Sequence, residues 1–147
     1  MLSVRLICCG KLKESFYKEA CAEYEKRLAG FCRFECVRLP EEGIEREAPH
    51  ILENVPQGAY LVAMCIEGKL ASSELLASKL QLLQNRGVSH LCIVIGSSEG
   101  ISSAVKAKAD TLLSMSPMTF PHHLAAVMVL EQLYRALSIN AGTRYHK

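Results

Sequence analysis

The stretch LCIVIGSSEG, residues 91–100, decides the fold more than any other part of the chain. Residues 91–95 are a continuous apolar run of strand length, which is typical of a strand buried on both faces of a parallel sheet. Gly96 and Gly100 bound the short loop that follows, and a helix is predicted over residues 102–109. A strand, a glycine-bounded loop and a helix in this order predict one unit of an α/β protein.

The same alternation continues on both sides of this unit. Strands are predicted over residues 4–9, 34–39, 60–66 and 111–115. Helices are predicted over residues 15–29, 47–55, 72–86 and 123–139, and residues 41–47 are predicted as an acidic loop. The pattern predicts one α/β domain over residues 1–147, with a parallel sheet covered by helices on both faces.

Length and composition agree with a single globular domain. The chain has 147 residues, of which 50% are hydrophobic and 22% are charged, and this balance excludes a disordered protein. The formal net charge of +2 is too small to indicate nucleic-acid binding by itself. Any contact with RNA must therefore come from the local placement of basic side chains.

The seven cysteines indicate a reducing compartment. Their number is odd and most lie in apolar runs, where a thiol behaves as a small hydrophobic group, so we expect a cytoplasmic protein. Cys32 and Cys36 have no matching Cys/His pair nearby, and we expect no metal. The longest apolar runs, such as residues 124–130, are far shorter than the roughly 20 residues that span a bilayer, and residues 2–9 lack the basic leader of a signal peptide.

In open α/β sheets, ligands bind beyond the carboxyl ends of the strands. The loop from Gly96 to Gly100 is either a tight turn before a helix or a place where the backbone approaches a ligand closely. A nucleotide-dependent oxidoreductase or ligase on a Rossmann-like sheet is an alternative, but it needs a glycine-rich turn after the first strand. Only Gly10 is found there, which disfavours that class.

The segment SMSPMTFPH, residues 114–122, continues with small and apolar residues although its two prolines forbid an ordinary helix. It is either a wall for a flat apolar group such as adenine or a buried connector. Both interpretations stay open at the level of sequence.

Polar residues near the end of the chain form a second candidate site. Glu131 and Arg135 have helical spacing, so they form either an exposed pair or part of a cleft shared with His122 and His123. The tail 144–147, RYHK, is either a frayed end or a segment that contacts phosphate and stacks on a base.

Four motifs taken together carry a specific resemblance: IGSSEG at 95–100, MTFPH at 118–122, LEQLYRA at 130–136 and YHK at 145–147. They resemble the ribosomal RNA large subunit methyltransferase H family of the SPOUT class, and the resemblance spans the whole chain. It implies a parallel-sheet SPOUT (α/β-knot) methyltransferase fold with a C-terminal trefoil knot, and a homodimer.

The resemblance also implies an activity. Members of the family use S-adenosyl-L-methionine to methylate N3 of a pseudouridine, at position 1915 in helix 69 of 23S rRNA, on the assembled ribosome. In-line methyl transfer depends on alignment and requires no metal, which agrees with the absence of a metal-binding pattern. The alternative is a relative that keeps the fold and binds RNA without catalysis.

The site residues implied by the resemblance fall into three groups. Cofactor-binding positions are Met64, Gly96, Met115, Ser116, Pro117, Met118, Thr119 and Phe120. Catalytic positions are Glu131, Arg135, Tyr145 and His146, and His146 is the expected acceptor of the proton that the base must lose. RNA-binding positions are His122, Arg144 and Lys147, of which Arg144 is assigned from the character of the tail.

Three positions depart from the family pattern. Ser97 replaces a second glycine, Ala126 replaces an arginine and Arg144 replaces a proline. We expect that a serine at position 97 crowds the cofactor. We also expect that the missing arginine at position 126 weakens RNA binding or transfers that role to Arg144.

Overall fold

The computed structural model describes residues 1–147 as five strands and five helices that alternate along the chain. In chain order they are β1 (Ser3–Cys9), α1 (Ser15–Leu28), β2 (Arg33–Leu39), α2 (Ile44–Asn54), β3 (Tyr60–Leu70), α3 (Ser73–Asn85), β4 (His90–Ile95), α4 (Ser103–Lys108), β5 (Thr111–Ser114) and α5 (His122–Asn140). The alternation predicted from the sequence is confirmed.

The strands form one sheet in the order β2-β1-β4-β3-β5, and every neighbouring pair is parallel. Side chains alternate across a strand, so β1 and β4 supply buried residues to both faces. On one face they pack under α1, α3 and α5, and on the other under α2 and α4. The two-sided core explains why 91–95 is apolar at every position.

Strand β3 is longer than predicted. The apolar run ends at Ile66, but β3 continues to Leu70 because Lys69 and Leu70 pair with β5 after a break in register beyond Met64. Gly68 permits this pairing, since a Cβ at that position would lie 2.6 Å from the backbone carbon of Leu113. The extension depends on a contact between residues far apart in the sequence, and hydrophobic periodicity carries no information about such contacts.

Helix α2 begins earlier than predicted, so the assignment of 44–47 to a loop is wrong. Glu47 is 2% exposed, and its Oε2 accepts hydrogen bonds from the backbone N–H groups of Glu42 at 2.8 Å and Gly43 at 3.0 Å. The carboxylate satisfies donors at the start of the helix, where a negative charge is favourable. Glu47, which the sequence placed at the end of an acidic loop, is therefore a buried group that caps the helix.

All seven cysteines are free thiols. Burial raises the pKa of Cys9 and Cys92 to about 12 and that of Cys32 to about 11. Cys36 is half-buried, and a hydrogen bond from the Cys8 thiol lowers its pKa. No group of three or more His, Cys, Asp or Glu side chains is placed to hold a metal ion, and no helix has the length and apolar character needed to cross a membrane.

We expect these thiols to react with iodoacetamide in a fixed order. Because the thiolate is the reactive form, Cys36 is labelled first, while Cys9, Cys32 and Cys92 stay protected as long as the protein is folded. Peptide mass spectrometry after labelling at about pH 8 measures the order, and labelling in denaturant is the control. Equal labelling rates for Cys9 and Cys36 in the folded protein would contradict this prediction.

Candidate active site

The loop after β4 folds back on itself at the carboxyl edge of the sheet. A Cβ at Gly96 would lie 2.1 Å from the carbonyl oxygen of Gly100, so only glycine fits there. The N–H of Gly100 donates to the carbonyl of Ser97 at 2.9 Å, and Gly100 has a φ of 99°, in the region that favours glycine. Both glycines of the quoted stretch are therefore required by the shape of this loop.

Ser97 lies inside the folded-back loop. The residue is 4% exposed, and its Oγ forms no hydrogen bond within the chain. Most buried polar groups have a partner. The Ser97 hydroxyl at the end of β4 is therefore a candidate to form a hydrogen bond with a ligand. The next residue, Ser98, donates its hydroxyl to Oε1 of Glu41 at 2.9 Å, and this hydrogen bond lowers the pKa of Glu41.

The segment after β5 is ordered by its own serines and leaves its last backbone donors free. Ser116 Oγ accepts from the N–H of Met118 at 3.0 Å, and Ser114 Oγ donates to the carbonyl of Ser116 at 3.0 Å. The N–H groups of Thr119 and Phe120 form no hydrogen bond within the chain. Residues 117–119 are exposed in the single chain, so this part of the segment is not a buried connector there.

An apolar cleft of about 140 Å³ opens between α3 and the strands β3 and β5. Its lining includes Met64 and Met115, two of the residues expected to bind the cofactor, together with Leu75, Leu76 and Leu80 of α3. Helix α3 thus covers this part of the sheet only incompletely. In the sheet, β3 lies between β4 and β5, so the carboxyl ends of all three strands lie side by side.

The C-terminal tail is docked on α5 and does not fray. Tyr145 donates its hydroxyl to Oε2 of Glu131 at 2.7 Å, and Arg135 donates to both oxygens of the same carboxylate, at 3.2 and 2.8 Å. The side chains of Arg135 and Glu131 are 25% and 18% exposed. The guanidinium of Arg135 also lies over the Tyr145 ring, 4.8 Å from its centre. The Glu131–Arg135 pair is therefore part of a cluster rather than an exposed helical pair.

His146 is held on both sides of its ring. Arg135 Nη1 lies 3.1 Å from Nδ1, and because an arginine can only donate, Nδ1 is the acceptor. The proton is then on Nε2, which donates to Oε1 of Glu74 at 2.8 Å. Glu74 lies in the first turn of α3, and no sequence motif pointed to it. This hydrogen bond lowers the pKa of Glu74.

Comparison with known proteins gives the relationship. A sequence profile described as "Predicted SPOUT methyltransferase" matches residues 2–146. Proteins named ribosomal RNA large subunit methyltransferase H, from Bifidobacterium adolescentis and Clostridium novyi, are each 42% identical to the chain over 99% of its length and 100% of their own. The chain belongs to the ribosomal RNA large subunit methyltransferase H family of SPOUT methyltransferases.

A solved structure supports the SPOUT fold. The structure of a probable methylase family protein from Haemophilus influenzae aligns with a TM-score of 0.60 at 14% identity, over 98% of this chain and 70% of that one. The predicted fold class is confirmed by the family match and by the parallel sheet. The trefoil knot stays a prediction.

In this SPOUT chain, the residues implied by the resemblance separate into distinct places. The ring of His122 packs against that of His123 in a tilted arrangement with ring centres 4.0 Å apart, beside Gly10. Nine residues along α5 separate His122 from Glu131, roughly 13 Å of helix, so the two histidines do not join the tail cluster. Arg144 and Lys147 are exposed and form no ion pair.

Position 126 does not face a surface. Ala126 is 1% exposed and lies in the core beneath α5. The expectation that the missing arginine weakens RNA binding or transfers that role to Arg144 stays a prediction, since the structure shows only that the alanine itself is buried. Ser97 is compatible with the tight loop, since its side chain is accommodated in a buried position.

We expect Tyr145 to titrate unusually late. Burial and its hydrogen bond to Glu131 raise the pKa of Tyr145 to about 12. Its stabilising effect is present below the ordinary tyrosine pKa of about 10 and is lost as the pH rises towards 12. The absorbance of tyrosinate is measured against pH for the unaltered chain and for Tyr145→Phe. The difference between the two curves should be that of one tyrosine with a pKa near 12. A difference that titrates near 10 would show that the tail is not docked.

Proposed function

We propose that this chain transfers the methyl group of S-adenosyl-L-methionine to N3 of a pseudouridine in 23S rRNA, at position 1915 in helix 69. We further propose that it acts as a homodimer in the cytoplasm on assembled ribosomes. The full-length identity of 42% to proteins named ribosomal RNA large subunit methyltransferase H supports the class of substrate. The observation that carries the proposal is that a tightly folded glycine loop after β4 and an open backbone segment after β5 both lie at the carboxyl edge of the sheet, on either side of β3.

The residues at this edge fit the cofactor. The unpartnered hydroxyl of Ser97 and the free N–H groups of Thr119 and Phe120 are donors for its polar groups, and Met64 and Met115 offer an apolar wall for adenine. Gly96, Ser116, Pro117 and Met118 shape the two segments that would hold it. When bound, S-adenosyl-L-methionine supplies an electrophilic methyl group on a sulfonium.

The tail cluster, formed by Glu131, Arg135, Tyr145 and His146, would align the acceptor base and accept its proton. Glu131 and Arg135 fix the tail, Tyr145 is held by Glu131, and Nδ1 of His146 accepts the imide proton once Arg135 releases it. Because a small displacement of a reacting group lowers the rate steeply, the rigidity of this cluster supports an alignment role. His122, Arg144 and Lys147 would contact the RNA.

Exposed apolar side chains around the cleft support the homodimer. Leu70 and Leu75 line the cleft and are 58% and 56% exposed, and Met118, one of the residues expected to bind the cofactor, is 72% exposed. Apolar groups clustered on a surface are typical of protein interfaces. A second copy of the chain that covers this region would also shield the cofactor from water.

The test is a calorimetric titration with S-adenosyl-L-methionine, repeated with NAD, followed by transfer of a labelled methyl group to ribosomes that lack the modification. We expect saturable binding of S-adenosyl-L-methionine alone and one methyl group per ribosome at the pseudouridine. Mapping of the label to another nucleotide would overturn the assignment of the substrate.

The alternative, a relative that binds RNA without catalysis, depends on whether Ser97 leaves room for the cofactor. If the unaltered chain does not bind S-adenosyl-L-methionine but Ser97→Gly does, the hydroxyl crowds the cofactor and the alternative holds. If both bind equally, Ser97 is an ordinary part of the site.

A further inference from the structure

A second pocket, lined mostly by charged or titratable residues, lies at the carboxyl ends of β1 and β2, and no role is yet attached to it. Its volume is about 580 Å³, within the range of roughly 300–1,000 Å³ that is common for ligand sites. The loop after β1, the end of β2 and the start of α5 form its walls. Its charged or titratable lining residues are Lys11, Lys13, Glu14, Arg38, Glu41 and His123.

The pocket concentrates cations that have no carboxylate partner. Lys11, Lys13 and Arg38 are basic side chains, and none of them forms an ion pair. By contrast, Arg5 and Arg135 are paired with glutamates. Three unpaired cations outnumber the two carboxylates of the lining, so the pocket favours an anion.

Buried donors beside the pocket also lack partners. Arg38 Nη2 reaches only the thiol of Cys21, at 3.9 Å, and its Nη1 is buried without a hydrogen bond. Nε2 of His122, a ring nitrogen that donates or accepts according to the tautomer, is also buried and unpartnered, next to His123. Unpaired buried donors are uncommon and unfavourable, and they are more common at functional sites than in an inert core.

The pocket is connected to the candidate active site through Glu41. Glu41 lines the pocket, and its Oε1 accepts a hydrogen bond from the hydroxyl of Ser98. Ser98 belongs to the glycine loop after β4. Adjacent strands lie about 4.8 Å apart, and the pocket is about two and a half strand positions from β3, so roughly 12 Å separate the two sites. A single RNA strand can reach both.

We propose that this pocket binds a backbone phosphate of the RNA substrate and holds the strand a few nucleotides from the base that is methylated. The inference rests on the proposed function. Lysine and arginine are the usual ligands of phosphate, and phosphate contacts fix the position of an RNA strand without reading its sequence. Since the net charge is only +2, such a local group of cations is where electrostatic affinity must arise.

The experiment compares two variants with equal loss of charge in the full-length chain. Lys11→Ala/Lys13→Ala removes the pocket lysines, and Lys26→Ala/Lys108→Ala removes two exposed lysines outside the pocket. Binding of each to unmodified ribosomes is measured over a range of salt concentrations. We expect the pocket variant to bind about tenfold more weakly. We also expect the magnitude of its slope of log K against log salt to fall by about 0.7–0.9, the value for one phosphate contact.

The control variant should stay within about twofold of the unaltered chain and keep its slope. Equal weakening of ribosome binding in both variants would overturn the proposal. Binding of inorganic phosphate in the pocket, together with unchanged ribosome binding by the pocket variant, would also overturn it. Thermal unfolding and S-adenosyl-L-methionine affinity should be the same in all three chains, which separates a lost contact from a lost fold. If the unaltered chain binds ribosomes but transfers no methyl group, the proposed function fails while the comparison of the variants still decides the pocket.

Discussion

Gly96→Ala is expected to remove most of the affinity for S-adenosyl-L-methionine. The added methyl group would lie 2.1 Å from the carbonyl oxygen of Gly100 and 2.6 Å from its carbonyl carbon, so the loop must open. Forced overpacking of this kind costs roughly 1–3 kcal/mol or more, which corresponds to roughly a 5- to 150-fold weaker binding constant when the loop forms the site. Calorimetric titration of the variant measures the loss.

Gly30→Ala is the matched control. A Cβ at Gly30 would lie 3.7 Å from the nearest atom, the carbonyl oxygen of Arg27, which is an ordinary contact, and Gly30 does not have a positive φ. We therefore expect unchanged cofactor affinity for this variant. If Gly96→Ala bound S-adenosyl-L-methionine as well as Gly30→Ala does, the loop after β4 would not be the cofactor site.

Glu131→Gln is expected to lower methyl transfer by about a hundredfold, because a misplaced tail misaligns the acceptor base. The substitution keeps the shape of the side chain but removes the charge that holds Arg135 and Tyr145. Hydrogen bonds to a charged, partly buried group contribute about 1.5–3 kcal/mol, so we also expect a lower melting temperature. Single-turnover methyl transfer and thermal unfolding measure the two effects.

Glu23→Gln provides the comparison, since Glu23 and Arg27 form a pair with the same helical spacing on the exposed side of α1. We expect little change in either measurement for this variant. Equal effects of Glu131→Gln and Glu23→Gln on methyl transfer and melting temperature would show that the Glu131–Arg135 pair behaves as an ordinary surface ion pair. The tail cluster would then have no part in the mechanism.

The contribution of Glu131 should also depend on pH. Burial opposes ionisation of this carboxyl group, but the hydrogen bonds from Arg135 and Tyr145 outweigh burial and lower its pKa. A lowered pKa stabilises the fold above the ordinary carboxyl value of about 4.3 and loses that effect as the pH falls further. The difference in stability between the unaltered chain and Glu131→Gln should therefore narrow below about pH 4.

The sequence alone determined the α/β class, the parallel sheet and the importance of the loop after residue 95. These features are local. A strand buried on two faces must be apolar at every position, and Gly96 and Gly100 mark the turn that ends it. The motifs near the end of the chain were also visible, because Glu131 and Arg135 lie one helical turn apart.

Only the tertiary structure decided which side chains share a site. Glu74 meets His146 from 72 residues away, Glu41 meets Ser98 from 57 residues away, and Arg38 joins Lys11 through the pairing of β1 with β2. The sequence also left open a cleft that Glu131 shares with His122, and the length of α5 keeps these two residues roughly 13 Å apart. Periodicity records which face of an element is buried, but it does not record which distant element covers that face. That choice is made when the sheet order and the packing of the helices fix the fold in three dimensions.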